Sequence, residues 1–268
     1  MVLFPNAKIN LGLHILAKRP DGYHDLETCM YPIPWYDVLE IVPAASFSFV
    51  QTGLNIPSND NNICISAYHL IKERYDIAPV SIHLHKVIPM GAGLGGGSAD
   101  AAFTLKMLNE LFSLKLNSEQ LKEYAGQLGS DCAFFIDNMP AIATKTGTEL
   151  ELFPLNLSNH CLAVIYPEVH ISTAQAYAVV TPTPTHRSLK DILFNLDNWQ
   201  SQLKNDFEQS IFTSHPVLRI IKEDLYSQGA FYAAMSGSGS AVFGLFEKSI
   251  PMDHFSQYNW IQQPLIIR

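Results

Sequence analysis

A chain that mixes helices with strands, strands dominating its first part, is what the sequence predicts. Ala7, Ile9, Leu11, Leu13 and Ile15 alternate with Lys8, Asn10, Gly12 and His14, the period-two pattern of a strand with one apolar and one polar face. Ala101, Leu105, Leu108 and Phe112 instead recur at helical spacing. Between a second alternating run, Val80, Ile82 and Leu84, and that helix lies a glycine-dense stretch, so this loop joins strand to helix.

The other elements follow in order. Arg19-Pro20-Asp21-Gly22 is turn chemistry, Pro fixing φ and Asp-Gly permitting reversal, and it delivers Tyr23-His24 onto the next segment. Ser58 to Asn62 predicts a turn, Ile63 to Tyr75 a helix, and Lys86 falls near the end of the Val80 strand. Ser98 is expected to start the helix after the glycines, and Ser118 to cap a further helix that turns Leu121, Tyr124, Ala125 and Leu128 inward and stops at Gly129. Asp131 follows, a polar notch against an apolar run; capping the next helix would explain it as well as chemistry would. Ala143 to Glu149 predicts a strand and turn, and Asn156-Leu157-Ser158-Asn159 a linker, which divides the chain into domains 1–158 and 159–268. Near the end, Phe231 to Met235 and Ala241 to Phe246 predict two strands joined by the small-residue loop Ser236-Gly237-Ser238-Gly239-Ser240.

Composition excludes several classes of protein. With 268 residues, 47% hydrophobic and 16% charged, there is material for one large or two ordinary cored domains. A net charge of −8 argues against nucleic acid or an anionic membrane as a general partner. Cys29, Cys64, Cys132 and Cys161 are scattered without Cys-x-x-Cys pairing and are expected as small core residues in a reducing compartment. Lys8, Lys18 and Arg19 interrupt the N-terminus, and no uncharged run approaches a membrane span, so the expected location is cytoplasmic. His83 and His85 alternate on a strand, but two histidines without a third ligand more often make a polar face than a metal site.

The glycine stretch is where function is legible. Five glycines between Gly91 and Gly97 free the backbone so that successive N–H groups can converge on an anion, and the following helix adds the positive end of its dipole. A Walker loop would end in Gly-Lys-Ser/Thr, whereas the last glycine here precedes Ser98-Ala99-Asp100. Gly91, Gly93 and Gly96 match the dinucleotide fingerprint, but the acidic strand end it requires is replaced by a helix end and loop at Leu111–Ser118. A flexible linker would not combine such glycine density with flanking apolar periodicity. A nucleotide-phosphate site of a third type remains.

Three separated segments now coincide: Pro5-Asn6-Ala7-Lys8-Ile9-Asn10-Leu11, Pro89 to Ala102, and Met235-Ser236-Gly237-Ser238-Gly239-Ser240. They resemble the three motifs of the GHMP small-molecule kinases. Arg19-Pro20-Asp21-Gly22-Tyr23-His24-Asp25-Leu26 is similar to the branch whose substrate carries a cytidine diphosphate, in the non-mevalonate isoprenoid route, and Asp60-Asn61-Asn62-Ile63, Gly129-Ser130-Asp131-Cys132, Arg187-Ser188-Leu189 and Asn205-Asp206-Phe207-Glu208 extend the match along nearly the whole chain.

The resemblance implies an α+β, two-domain GHMP kinase fold, the first domain of the ribosomal-protein-S5-domain-2 type and the second ferredoxin-like, with the active site in the cleft between them. It implies ATP and Mg2+ as cofactors, a small-molecule alcohol bearing cytidine diphosphate as the acceptor, and a monomer or weak homodimer with no nucleic acid and no membrane partner. Asp131 is the candidate base and Lys8 its charged partner. ATP is expected on Pro89, Met90, Gly91, Ala92, Gly93, Leu94, Gly95, Gly96, Gly97, Ser98 and Ala99, with Lys86 and Asn62 matching positions that line the nucleotide pocket. Asn10, Tyr23, His24 and Tyr177 are the expected substrate-binding residues, Tyr177 also reading as a core aromatic. Ser98 is the hydroxyl nearest the magnesium ion.

Overall fold

The computed structural model describes residues 1–54, 62–183 and 188–266. Ser58 to Asn61 of the predicted turn before the Ile63 helix, which include Asp60-Asn61, and Arg187 lie outside the described residues. The chain forms two compact units: one from Met1–Ala7, Trp35–Met90 and Gly95–Met139, the other from Lys8–Pro34, Gly91–Leu94 and Pro140–Arg268. These units do not follow chain order. Residues 8–34 and 140–158, which the sequence reading assigns to a first domain, fall in the second unit, and the glycine stretch is divided between the two.

The first unit carries a sheet ordered β1 (Val2–Leu3), β4 (Val38–Pro43), β6 (Val80–Lys86), β5 (Ser48–Gly53), antiparallel except for the β5–β6 pair. Helices α1 (Ile63–Lys72), α2 (Gly96–Leu111), α3 (Ser118–Leu128) and α4 (Phe134–Asp137) pack with it, α2 being the hub that contacts α1, α3, α4 and β4. Ala99, Ala101 and Ala102 make that close packing possible, since small side chains let neighbouring helices approach, while Leu105, Met107 and Leu108 fill the core. Two helix starts differ from expectation. Asn117, not Ser118, caps α3, because its side chain and that of Gln120 bond each other's backbone N–H reciprocally. The α2 helix begins at Gly96, so Ser98 lies inside its first turn; Gly95 takes the left-handed φ of 70° that lets the loop enter the helix directly.

The second unit contains two four-stranded sheets. One runs β2 (Asn6–Lys18), β3 (His24–Tyr36), β7 (Ala141–Lys145), β8 (Glu149–Leu152), the ends of β2 and β3 belonging to the first unit. The other runs β10 (Tyr232–Met235), β11 (Val242–Phe246), β9 (Cys161–Tyr166), β12 (Asn259–Pro264), all antiparallel. Among its helices α5 (Thr173–Val179), α6 (Leu189–Leu193), α7 (Trp199–Gln202), α8 (Glu208–Ser214) and α9 (Pro216–Ser227), α9 covers β10 and β11 with Leu218, Ile221 and Leu225. The predicted linker is anchored rather than loose: Leu157 is fully buried, and its N–H donates to Tyr31 Oη at 3.1 Å. Strand β2 also departs from expectation, because its polar face is buried as well as its apolar one: Lys8, Asn10 and His14 are each at most 5% exposed. Buried polar groups require partners.

Candidate active site

In the second unit the partners of Lys8 and Asn10 on β2's polar face come from all three motifs, whereas His14 Nδ1 has no hydrogen-bond partner among the described residues. Lys8 Nζ donates to Asn10 Oδ1 at 2.6 Å and to Gly93 O at 3.0 Å, while Lys8 N–H donates to Leu94 O at 2.9 Å. Ser236 Oγ donates to the same Gly93 carbonyl at 2.8 Å and accepts from Asn10 N–H at 3.3 Å. Asn10 Nδ2 reaches Thr28 Oγ1 at 3.0 Å, and Thr28 in turn donates to Gly12 O. The Ala241 N–H donates to Ala92 O at 3.0 Å, a further tie between the second and third motifs. The contact at Gly93 leaves no room for a side chain: a Cβ there would lie 1.9 Å from Ser236 O, at a φ of +77°. Both of these oxygens bonded by the Lys8 ammonium are neutral, and they orient it.

A further support comes from the matched segment Asn205-Asp206-Phe207-Glu208, to which the sequence assigned no role. Asn205 is buried, donates from Nδ2 to Met235 O and Gly237 O, both at 2.8 Å, and accepts from Phe207 N–H at 3.0 Å. It holds the turn that carries Ser236. Glu208 adds a bond from Met235 N–H at 2.8 Å.

The Arg19 turn has the predicted geometry. Arg19 N–H donates to Tyr23 O at 2.8 Å, its guanidinium pairs with Asp21 at 2.9 Å and Asp25 at 3.1 Å, and Asp21 also accepts from Tyr23 N–H. The Arg19 hydrogen bond holds the Asp21 carboxyl below its usual range. His24 then stacks on Tyr177, centroids 5.1 Å apart and planes 28° from parallel, and Phe207 meets Tyr177 edge-on at 4.9 Å. Burial, with Lys18 adding to it, keeps the His24 imidazole below its ordinary pKa. Tyr23, by contrast, is 67% exposed, so the structure joins His24 with Tyr177 and leaves the Tyr23 ring on the surface.

In the first unit, Pro89, Met90, Gly95, Gly96, Gly97, Ser98 and Ala99 form the strand exit and the first turn of α2. Asp131 sits half-buried in the turn before α4, accepting from Ser130 Oγ at 3.4 Å. It does not cap that helix, whose N-cap is Ala133. Its neighbour Cys132 is buried; burial pushes the thiol up to about 11, with Ser98 pulling the other way. Asn6 and Asn138 exchange amide hydrogen bonds at 2.7 and 3.2 Å, fastening the first motif to the end of α4.

One expectation in this unit is corrected. Lys86 is 1% exposed and does not line an open pocket: its ammonium bonds Asp37 and, at 2.8 Å, Asp100. Asn62 caps α1, its Oδ1 accepting from Cys64 N–H at 2.9 Å, so that oxygen already has a helical task. His83 and His85 both bond Thr52 Oγ1, at 3.0 and 2.9 Å, as a polar strand face. All four cysteines are buried and free. Among the described residues, no three His, Cys, Asp or Glu side chains converge as a metal site, and no helix is long and apolar enough to cross a membrane.

Comparison with known proteins agrees with this arrangement. The GHMP kinases N terminal domain profile matches residues 62–144, and the GHMP kinases C terminal profile matches 185–253. A 4-diphosphocytidyl-2-C-methyl-D-erythritol kinase of Cytophaga hutchinsonii is 52% identical over 250 residues, 92% of each chain. One from Parabacteroides distasonis is 51% identical over the same share. A crystal structure of 4-(cytidine 5'-diphospho)-2C-methyl-D-erythritol kinase superposes with a TM-score of 0.80 at 33% identity, over 91% of this chain and 90% of that one. Sharing half its residues with such relatives over more than nine-tenths of its length, this chain belongs to the GHMP kinases, in the family of the 4-diphosphocytidyl-2-C-methyl-D-erythritol kinases.

Proposed function

We infer that the chain transfers the terminal phosphoryl group of ATP to the 2-hydroxyl of 4-diphosphocytidyl-2-C-methyl-D-erythritol, giving the 2-phosphate and ADP in the non-mevalonate route to isopentenyl diphosphate. The observation that carries this reading is the Gly93 carbonyl, which receives Lys8 from the first motif and Ser236 from the third, so that residues 228 positions apart meet at the phosphate loop. The 52% identity to a named kinase supplies the acceptor.

The residue roles follow from the chemistry. An alcohol is a poor nucleophile; in this reading Asp131 accepts its proton as the new O–P bond forms and the bond between the β,γ-bridging oxygen and the γ-phosphorus breaks, releasing ADP. Lys8, held by neutral oxygens, stabilises the developing negative charge. Backbone N–H groups of the glycine loop and the positive end of α2 take the phosphates, since no Walker lysine is present. The Ser98 hydroxyl in the first turn of α2 is the residue that would hold a magnesium ion, which would neutralise phosphate charge. Asn10 would orient the hydroxyl, and the His24–Tyr177 stack would receive the cytosine ring. The domain division at 158/159 is supported by the two family profiles, which match either side of it. The proposed state is a monomer or weak homodimer, and four free thiols suit the cytoplasm.

The test is ADP release from MgATP with the cytidine substrate, mevalonate, homoserine or galactose offered separately. Turnover with the first alone is expected; turnover only with another would reassign the acceptor.

A further inference from the structure

The buried ion pair beside the phosphate loop is not used by the reaction just described. Asp37, immediately before β4, accepts from Val87 N–H at 2.6 Å and Ile88 N–H at 2.8 Å, the two residues that leave β6 for the loop. It also accepts from Lys86 Nζ, which reaches across to Asp100 Oδ2 in α2 at 2.8 Å. One carboxylate thus holds the strand exit and the other the start of the helix, with a single ammonium between them. The helix sits close against that ammonium: a Cβ on Gly96 would lie 2.9 Å from Lys86 Nζ and from Ile88 Cγ2. All three charged side chains are at most 2% exposed, so solvent does not screen the bridge. Asp100 Oδ1 finds no hydrogen-bond partner among the described residues, so burying this carboxyl is expensive, and a plain hydrophobic side chain would pack the site at lower cost.

We propose that Asp37, Lys86 and Asp100 form a positioning clamp that fixes the separation of the two ends of the glycine loop, keeping its backbone N–H groups aimed at the nucleotide phosphates. The clamp rests on the kinase reading above. It acts on nucleotide binding without touching the nucleotide, because its charges are spent on one another.

The experiment compares Asp100→Leu, which fills the space without a bond to Lys86, with Asp100→Asn, which keeps an acceptor but loses the charge. At pH 8, where the Asp100 carboxyl is ionised, steady-state KM is measured for MgATP and for the cytidine substrate, and binding of a non-hydrolysable ATP analogue by calorimetry. Asp100→Leu is expected to raise KM for MgATP and the analogue Kd about tenfold or more, the scale of a sub-ångström misplacement, with KM for the cytidine substrate moving less than about twofold. Asp100→Asn should recover most of that loss, remaining about threefold weaker, since charge-assisted bonds are about twice as strong as neutral ones. A residue that only stabilises the fold would lower the melting temperature and leave both constants alone. Unchanged nucleotide constants in folded Asp100→Leu, or both substrates weakening together, would overturn the clamp; if Asp100→Leu does not fold, wild-type constants in Asp100→Asn overturn it. Absence of wild-type turnover with the cytidine substrate would instead sink the kinase reading, and the calorimetry would still read the clamp.

Discussion

Lys8 and Lys86 are the same residue type, both almost fully buried, one within reach of each part of the glycine stretch, and the bonds they make there differ in kind. Lys8 donates to an amide oxygen and a backbone carbonyl, so those bonds aim a cation. Lys86 donates to two carboxylates, so its charge is consumed within the fold. Burial pulls the Lys86 pKa down, but the charges of Asp100 and Asp37 outweigh it and hold the ammonium above its usual range. The difference teaches that a buried lysine is not in itself a functional residue. What matters is which groups its ammonium bonds and what those groups hold in place.

The comparison breaks first on stability. Lys86→Met leaves two buried carboxyls facing each other without a cation and is expected to cost about 3–5 kcal/mol, a large share of the roughly 5–15 kcal/mol that holds a typical domain together. Urea unfolding measures it. The next effect is catalytic. Asp131→Asn is expected to lower turnover about 100-fold or more with ATP-analogue binding largely retained, and near-normal turnover would remove Asp131 from the mechanism. Lys8→Met should show the same pattern, whereas Asp100→Leu should show the reverse, weaker nucleotide binding with smaller change in the chemical step.

A subtler difference concerns pH. Burial first, then the Asp37 charge, lifts the Asp100 carboxyl from 3.8 to about 7, against the opposing pull of Lys86. The folded chain therefore holds a proton that the unfolded chain releases. The stabilisation is complete below about pH 4 and is lost as pH rises towards 7, since a group with a raised folded pKa favours the protonated folded state. Asp100→Asn has no proton to lose there, so wild type should lose more melting temperature than the variant between pH 5 and pH 8. Parallel curves would show that Asp100 does not titrate in this window. The Cys64 thiol, pushed up by its own burial and by Asp100, stays protonated throughout and does not enter the balance. The smallest expected effect is at Tyr177→Phe: the ring that stacks on His24 remains, so KM for the cytidine substrate should change less than about threefold, whereas Tyr177→Ala should raise it further.

Much of the site was legible from residue order. The Arg19-Pro20-Asp21-Gly22 reversal, the strand leading into the glycines and the two strands around Ser236 depend on local backbone preferences, and they appear where those preferences put them. Asn117 displaced Ser118 as a cap because the two compete one residue apart and only the reciprocal bond with Gln120 decides between them. Asp100 carried a faint signal, a lone carboxylate in the run Ser98-Ala99-Asp100-Ala101-Ala102, but nothing nearby in sequence indicated Lys86 or Asp37 as its partners. Asn205 carried less, since its task is to hold carbonyls 30 and 32 residues away.

By itself, then, the sequence determined the residue kinds and the local geometry: a glycine-rich anion cradle between strand and helix, a lysine-bearing strand and a small-residue turn. The tertiary structure alone decided that Lys8 and Ser236 share the Gly93 carbonyl, that Tyr23 stays exposed while His24 stacks, and that Lys86 is neutralised rather than presented. The reason is physical. Backbone preference acts over a few residues, whereas burial, charge compensation and hydrogen-bond satisfaction depend on which distant segments the fold brings within about 3 Å.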